Sequence, residues 1–189
     1  MLITALAFMS LGLAGSEPNL HCPATLEAIT GAPAIRMEYA GATFGTCCGG
    51  CDGPFSKDPG GLIAKAVKAN KTVGLFGYDP VSGKKIEARN SVAFSDYKSI
   101  RYRFASAEEK KVFDATPARF IAEVKSEAFM CPVTGDEMTS DSSRGYADYN
   151  GVRYYLCCPQ CTTAFRKDPA KYAASVASAV KPLAVVMLK

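Results

Sequence analysis

The sequence predicts an α+β protein of three small ββα units in tandem, on three observations. One order of landmark residues runs along the chain three times. Each run contains a stretch that reads as a β-hairpin, and each closes on a helix-like segment punctuated by proline. The 189 residues, 48% of them hydrophobic, suit one ordinary domain or several very small ones.

Residues 1–16 stand apart. The run LITALAFMSLGLAG is apolar and uncharged, has the length of a secretory h-region, and is short for a bilayer span. Ala14-Gly15-Ser16 offers the small residues of a cleavage site, although no Lys or Arg precedes the run. A secreted or periplasmic chain with no membrane span after signal removal is expected; a buried N-terminal helix is the alternative.

The third unit, 129–178, shows the pattern most fully. Cys131-Pro132-Val133-Thr134-Gly135 opens it as a tight turn, since proline fixes φ and glycine accepts positive φ. Asp148-Tyr149 and Val152 to Leu156 flank Asn150-Gly151, a strong hairpin signal. Cys157-Cys158-Pro159-Gln160-Cys161 then leads into a helix over Thr162 to Lys167, which Asp168-Pro169 breaks and restarts. The Ala-rich stretch Ala170 to Val180 should be helical.

The first unit, 20–69, repeats the order with Cys22-Pro23, Glu38-Tyr39, Phe44, Cys47-Cys48-Gly49-Gly50-Cys51, Phe55 and Asp58-Pro59. In both units the tyrosine precedes the double cysteine by eight residues, and the series Cys, Cys, Phe, Pro advances four residues at a time. In the middle unit, 77–125, Asp79-Pro80-Val81-Ser82-Gly83, Asp96-Tyr97, Tyr102, Phe113, Pro117 and Phe120 keep the landmarks. There Asp79, Ala105 and Glu109 replace the three cysteines. Gly61 to Ala69 and Ala118 to Lys125 should be helical like Ala170 to Val180, with linkers near 70–77 and 126–129. The tail 179–189 reads as a packed strand or helix end.

All eight cysteines fall into two clusters, Cys22, Cys47, Cys48, Cys51 and Cys131, Cys157, Cys158, Cys161. A tetrahedral soft-metal site takes about four N or S donors from two chain segments, which this spacing offers twice. A unit of this size has too little core to be stable by packing alone, so a metal or disulfide is the usual remedy. Cys22, Cys47, Cys51 and Cys131, Cys157, Cys161 are the core ligand candidates, with Cys48 and Cys158 as fourth donors where the backbone turns sharply. Zn2+ or another soft ion such as Cu+ fits such donors.

The motif over residues 131–172, Cys-Pro-Val-x-Gly followed by Tyr-x-Gly-x-x-Tyr-Tyr-x-Cys-Cys-x-x-Cys and Phe-x-x-Asp-Pro-x-x-Tyr, resembles the YHS/TRASH domains. Residues 22–62 resemble them well and 79–120 in part. The resemblance implies small treble-clef-like metal-binding units, heavy-metal binding, sensing or trafficking, and metal ligation by Cys131, Cys157, Cys161 and by Cys22, Cys47, Cys51. The middle unit departs at all three positions, and the first lacks the Val-x-Gly turn, having Ala24-Thr25-Leu26.

Other readings stay open. In an exported chain the cysteines could form four disulfides. Cys48-Gly49-Gly50-Cys51 and Cys158-Pro159-Gln160-Cys161 are formally redox motifs, without a βαβ context. His21, the single histidine, could add a nitrogen donor beside Cys22, and Met130 holds that place beside Cys131. An interaction module docking onto an envelope complex is the second functional reading. Interspersed charges, net +4, give no stripe for nucleic acid. No phosphate loop, His-Glu-x-x-His or nucleophile elbow is present, so the expectation is a non-enzyme whose partners are a metal ion and a protein of the cell envelope.

Overall fold

A computed structural model describes residues 17–188, so the apolar run 1–16 lies outside the described residues. The architecture is mixed α+β, with two sheets and six α-helices among the described residues. No helix among them is long and apolar enough to cross a membrane.

In chain order, strands β1 (Arg36–Tyr39) and β2 (Ala42–Gly45) form a hairpin, followed by helices α1 (Asp52–Lys57) and α2 (Pro59–Lys68). Strand β3 (Gly74–Phe76) precedes a second hairpin, β4 (Ala93–Tyr97) and β5 (Ile100–Phe104), and helices α3 (Ala107–Ala115) and α4 (Pro117–Phe120). Strand β6 (Ser126–Ala128) precedes a third, β7 (Gly145–Tyr149) and β8 (Val152–Leu156), then α5 (Pro159–Lys167) and α6 (Pro169–Ser175). Strands β9 (Val180–Pro182) and β10 (Val186–Leu188) close the chain.

Every hairpin turns through two residues with positive φ: Ala40 and Gly41 (51° and 72°), Lys98 and Ser99 (48° and 65°), Asn150 and Gly151 (50° and 75°). That left-handed pair matches the twist of the strands, and only the third turn advertises it as Asn-Gly. Behind each hairpin one phenylalanine of the following helix packs on a β-strand ring. Phe55 meets Phe44 at 4.6 Å, Phe113 meets Tyr102 at 5.2 Å, and Phe165 meets Tyr154 at 5.0 Å between centroids. All three phenylalanines are fully buried. Proline at the first turn of α2, α4 and α6 starts the second helix of each pair, and the Asp58 and Asp168 carboxylates cap α2 and α6 by accepting from Gly61 N and Lys171 N.

Three expectations fail. The helix expected over 118–125 stops at Phe120, and Ile121 is already extended (φ −110°, ψ 94°). Ile121 and Val124 instead line an apolar cavity with Tyr39, Ile63 and Phe76, so packing overrides helix propensity. The helix expected over 170–180 ends at Ser175, because β9 pairs antiparallel with β6. The linkers expected at 70–77 and 126–129 contain β3 and β6, which are interior strands. The sheet orders are β10-β1-β2-β3-β5-β4 and β7-β8-β6-β9. Each lies parallel to the second strand of the hairpin that follows it and covers that edge. The tail supplies β10, which pairs with β1. One hydrophobic core runs through all three hairpin–helix segments.

Candidate metal centre

Each cysteine cluster is assembled from a turn, a strand end and a helix start. In the third segment Cys131 opens a turn closed by Cys131 N to Asp136 O and Gly135 N to Cys131 O, both 2.8 Å. The first segment builds the same turn with Cys22 N to Glu27 O at 2.9 Å and Leu26 N to Cys22 O at 2.8 Å. Leu26 takes φ 65° where Gly135 has 82°, so the missing glycine does not change the backbone there. Cys47 and Cys157 follow the last strand of their hairpins, and Cys51 and Cys161 lie one helical turn further on.

The outcome is two sulfur triads, Cys22, Cys47, Cys51 and Cys131, Cys157, Cys161, each with all Sγ atoms within 4.8 Å of one another. Cys47 and Cys51 sulfurs are 3.9 Å apart, and Cys157 and Cys161 sulfurs 3.5 Å. Cys22 and Cys131 are fully buried, while Cys47 and Cys157 are reached by solvent. Soft thiolates converging from separate backbone positions suit a zinc-like or other soft ion, so the residues fit the group.

Only the turn cysteine of each triad is held toward the thiolate; the Cys51 thiol is raised by its contact with Cys48 and by burial, and the Cys161 thiol by burial and its contact with Cys158. Burial raises the Cys131 thiol, but the Thr134 hydroxyl and the backbone N–H groups of Cys157, Thr134 and Val133 outweigh it and bring it down to about 7. For Cys22 burial is likewise outweighed, by the N–H groups of Cys47, Thr25 and Ala24 and the Thr25 hydroxyl, again reaching about 7. The Thr25 and Thr134 hydroxyls also lie 3.4 Å from Cys47 and 3.6 Å from Cys157 sulfurs. Spacing alone gives these threonines no role at the sulfurs, although Cys-Pro-x-Thr stands in both clusters and Asp-Pro-x-Ser in the middle.

Cys48 and Cys158 occupy a different place. Each sulfur sits 2.8 Å from one member of its triad, Cys51 or Cys161, and neither belongs to the mutually close group. Cys158 caps α5, its sulfur accepting from Cys161 N at 3.2 Å. No disulfide joins any of the eight cysteines in this structure. His21 is turned away from the first triad, with its Nδ1 3.2 Å from Thr72 O, and Met130 forms a backbone bridge with Glu137.

In the middle segment Asp79, only 1% exposed, occupies the place of Cys131. Its Oδ1 accepts from Val81 N (2.9 Å) and Ser82 N (3.2 Å), and its Oδ2 from Ala105 N (3.1 Å). These are the same three backbone donors that face Cys22 and Cys131, counted from the turn and the strand end. Glu109, in the place of Cys161, is raised by burial, by the Asp79 charge and by a hydrogen bond with Asp79. A carboxylate therefore fills there the anion position that thiolates fill elsewhere.

No curated protein and no solved structure matches the chain significantly. A family model does match: residues 131–176, the segment bearing the second triad, are identified as a YHS domain, consistent with a YHS/TRASH-type family.

Proposed function

We propose that this chain is an exported, non-catalytic heavy-metal-binding protein, holding Zn2+ or another soft ion such as Cu+ at two thiolate triads for trafficking or sequestration. It is read as three tandem treble-clef-like YHS/TRASH units, over 20–69, 77–125 and 129–178, the middle one without metal. The observation that carries the reading is the convergence of three sulfurs within 4.8 Å in each of two clusters. The match of residues 131–176 to the YHS domain supports it for the second cluster. The hairpin turns, buried phenylalanines and anion-holding turns common to all three segments support the tandem reading. Three protein donors leave a coordination position for an exchangeable ligand, which suits transfer better than a closed structural site.

Elemental analysis of the full chain purified under reducing conditions tests this. Two soft-metal ions per chain are expected, with Cys47→Ser and Cys157→Ser each removing one. A reduced chain that takes up no ion from Zn2+ or Cu+ solutions overturns the reading.

A further inference from the structure

The two sulfurs left outside the triads each have one triad sulfur at short range. Cys158 Sγ lies 2.8 Å from Cys161 Sγ, inside ordinary non-bonded contact and beyond the covalent length of about 2.05 Å. Cys48 and Cys51 repeat that distance in the first cluster. In each pair the outer sulfur is accessible and its partner buried: Cys158 is half-buried and Cys48 exposed, whereas Cys161 and Cys51 are buried. Cys161 and Cys51 are also triad members. A sulfur tied in a disulfide is no longer a thiolate donor, so each buried cysteine has two mutually exclusive fates.

We propose that Cys158–Cys161 and Cys48–Cys51 are redox pairs whose closure by a low-molecular-weight disulfide dismantles the triads and releases their metal. The inference rests on the metal reading above and adds its regulation. In the step, the Cys158 thiol gives its proton to the first departing thiolate while its sulfur attacks the small disulfide RSSR, forming Cys158–S–SR and one RSH. The Cys161 thiolate then leaves the metal and attacks the Cys158 sulfur, forming the Cys158–Cys161 bond and expelling RS−. The two cysteines lose two electrons, RSSR gains them, and the ion is left with two donors, Cys131 and Cys157. Attack begins at Cys158 because reagent reaches it, whereas Cys161 is buried. The Cys161 backbone N–H that holds Cys158 Sγ keeps the pair aligned for the second exchange.

The test loads the full chain with Zn2+, adds oxidised glutathione without oxygen, follows freed zinc with a chromogenic chelator and maps disulfides by mass spectrometry. Zinc release in step with the Cys158–Cys161 and Cys48–Cys51 disulfides is expected. The double variant C48S/C158S should load the same zinc and release it more than tenfold more slowly, since serine still caps α5 but forms no disulfide. Zinc retained by the wild type, equal release by the variant, or disulfides joining other cysteines would overturn the switch while leaving the metal reading intact. Reduced zinc loading in C48S/C158S would make these sulfurs ligands and also overturn it. A wild-type chain that loads neither Zn2+ nor Cu+ sinks the metal reading instead.

Discussion

Asp79 does in the middle segment what a thiolate does in its neighbours: it terminates three backbone N–H groups that face one buried point. Removing it as Asp79→Ala leaves those donors buried and unpaired, which should cost about 3 kcal/mol in urea unfolding. A loss below about 1 kcal/mol would mean the turn closes without an anion. Glu127 allows a prediction with the opposite charge logic. Burial raises its carboxyl above the ordinary 4.5, against relief from the Tyr155 hydroxyl, which donates at 2.8 Å, and from Arg153. The folded chain thus holds a proton that the unfolded chain has released, and this group's contribution is fully present below pH 4.5 and lost as pH rises through the folded value. Denaturation of wild type and Glu127→Gln across pH 4–8 should show the variant gaining on wild type as pH rises, and a constant difference would refute it. The cysteine positions were legible in the sequence because side-chain ligands are letters. The N–H groups around them were not, because backbone donors leave no letter; the threonine or serine three residues after each Cys or Asp was the available clue.

At the scale of the element, the opening turn separates backbone need from packing. Gly83 and Gly135 take equivalent positive φ, 74° and 82°. A Cβ on Gly135 meets nothing within 4 Å, whereas one on Gly83 would meet the Tyr146 carbonyl oxygen at 2.8 Å and Arg166 Nη2 at 2.5 Å. Both alanine variants should lose about 1 kcal/mol to the left-handed backbone, and Gly83→Ala about 1–3 kcal/mol more. Equal unfolding free energies for the two would show that Tyr146 and Arg166 yield freely. Much of this layer could be read from sequence. Hairpins announced themselves by the tyrosine and aromatic spacing, and the helix pairs by Asp-Pro or Thr-Pro at their junction. Strands β3 and β6 could not, since three residues show no alternation and their partners lie well away in sequence. The early end of α4 was hidden for a related reason: Ile121 and Val124 are held by residues of the first and middle hairpins.

Across the whole molecule the three segments are tied by backbone and by one arginine. Lys85 N donates to Arg144 O and Tyr146 N to Gly83 O, joining middle to third. Arg153 pairs with Asp148 through two nitrogens, donates to the Ala40 carbonyl of the first hairpin, and lies 4.8 Å from the Phe76 and Tyr146 ring centroids. Because the guanidinium is buried, Arg153→Met strands the Asp148 carboxylate and should cost about 3–5 kcal/mol, read from urea unfolding; a cost under about 1 kcal/mol would show the arginine is not what joins the segments. Such tying means the middle segment is held by its neighbours and does not need an ion of its own, which accounts for how it keeps shape without cysteines. The same frame gives a gain-of-function prediction. Asp79 N to Lys84 O is 2.8 Å, as in the equivalent bond of Cys131, and Phe113 packs on Tyr102 as Phe165 does on Tyr154. The three positions therefore stand on the same turn, strand end and helix start where the two neighbours carry cysteine. The triple variant D79C/A105C/E109C should bind one more Zn2+ per chain than wild type, measured by elemental analysis after desalting. An unchanged count in a variant with native circular dichroism would show that the frame alone does not make the site, and that features outside these three positions distinguish the cysteine-bearing segments from the middle one.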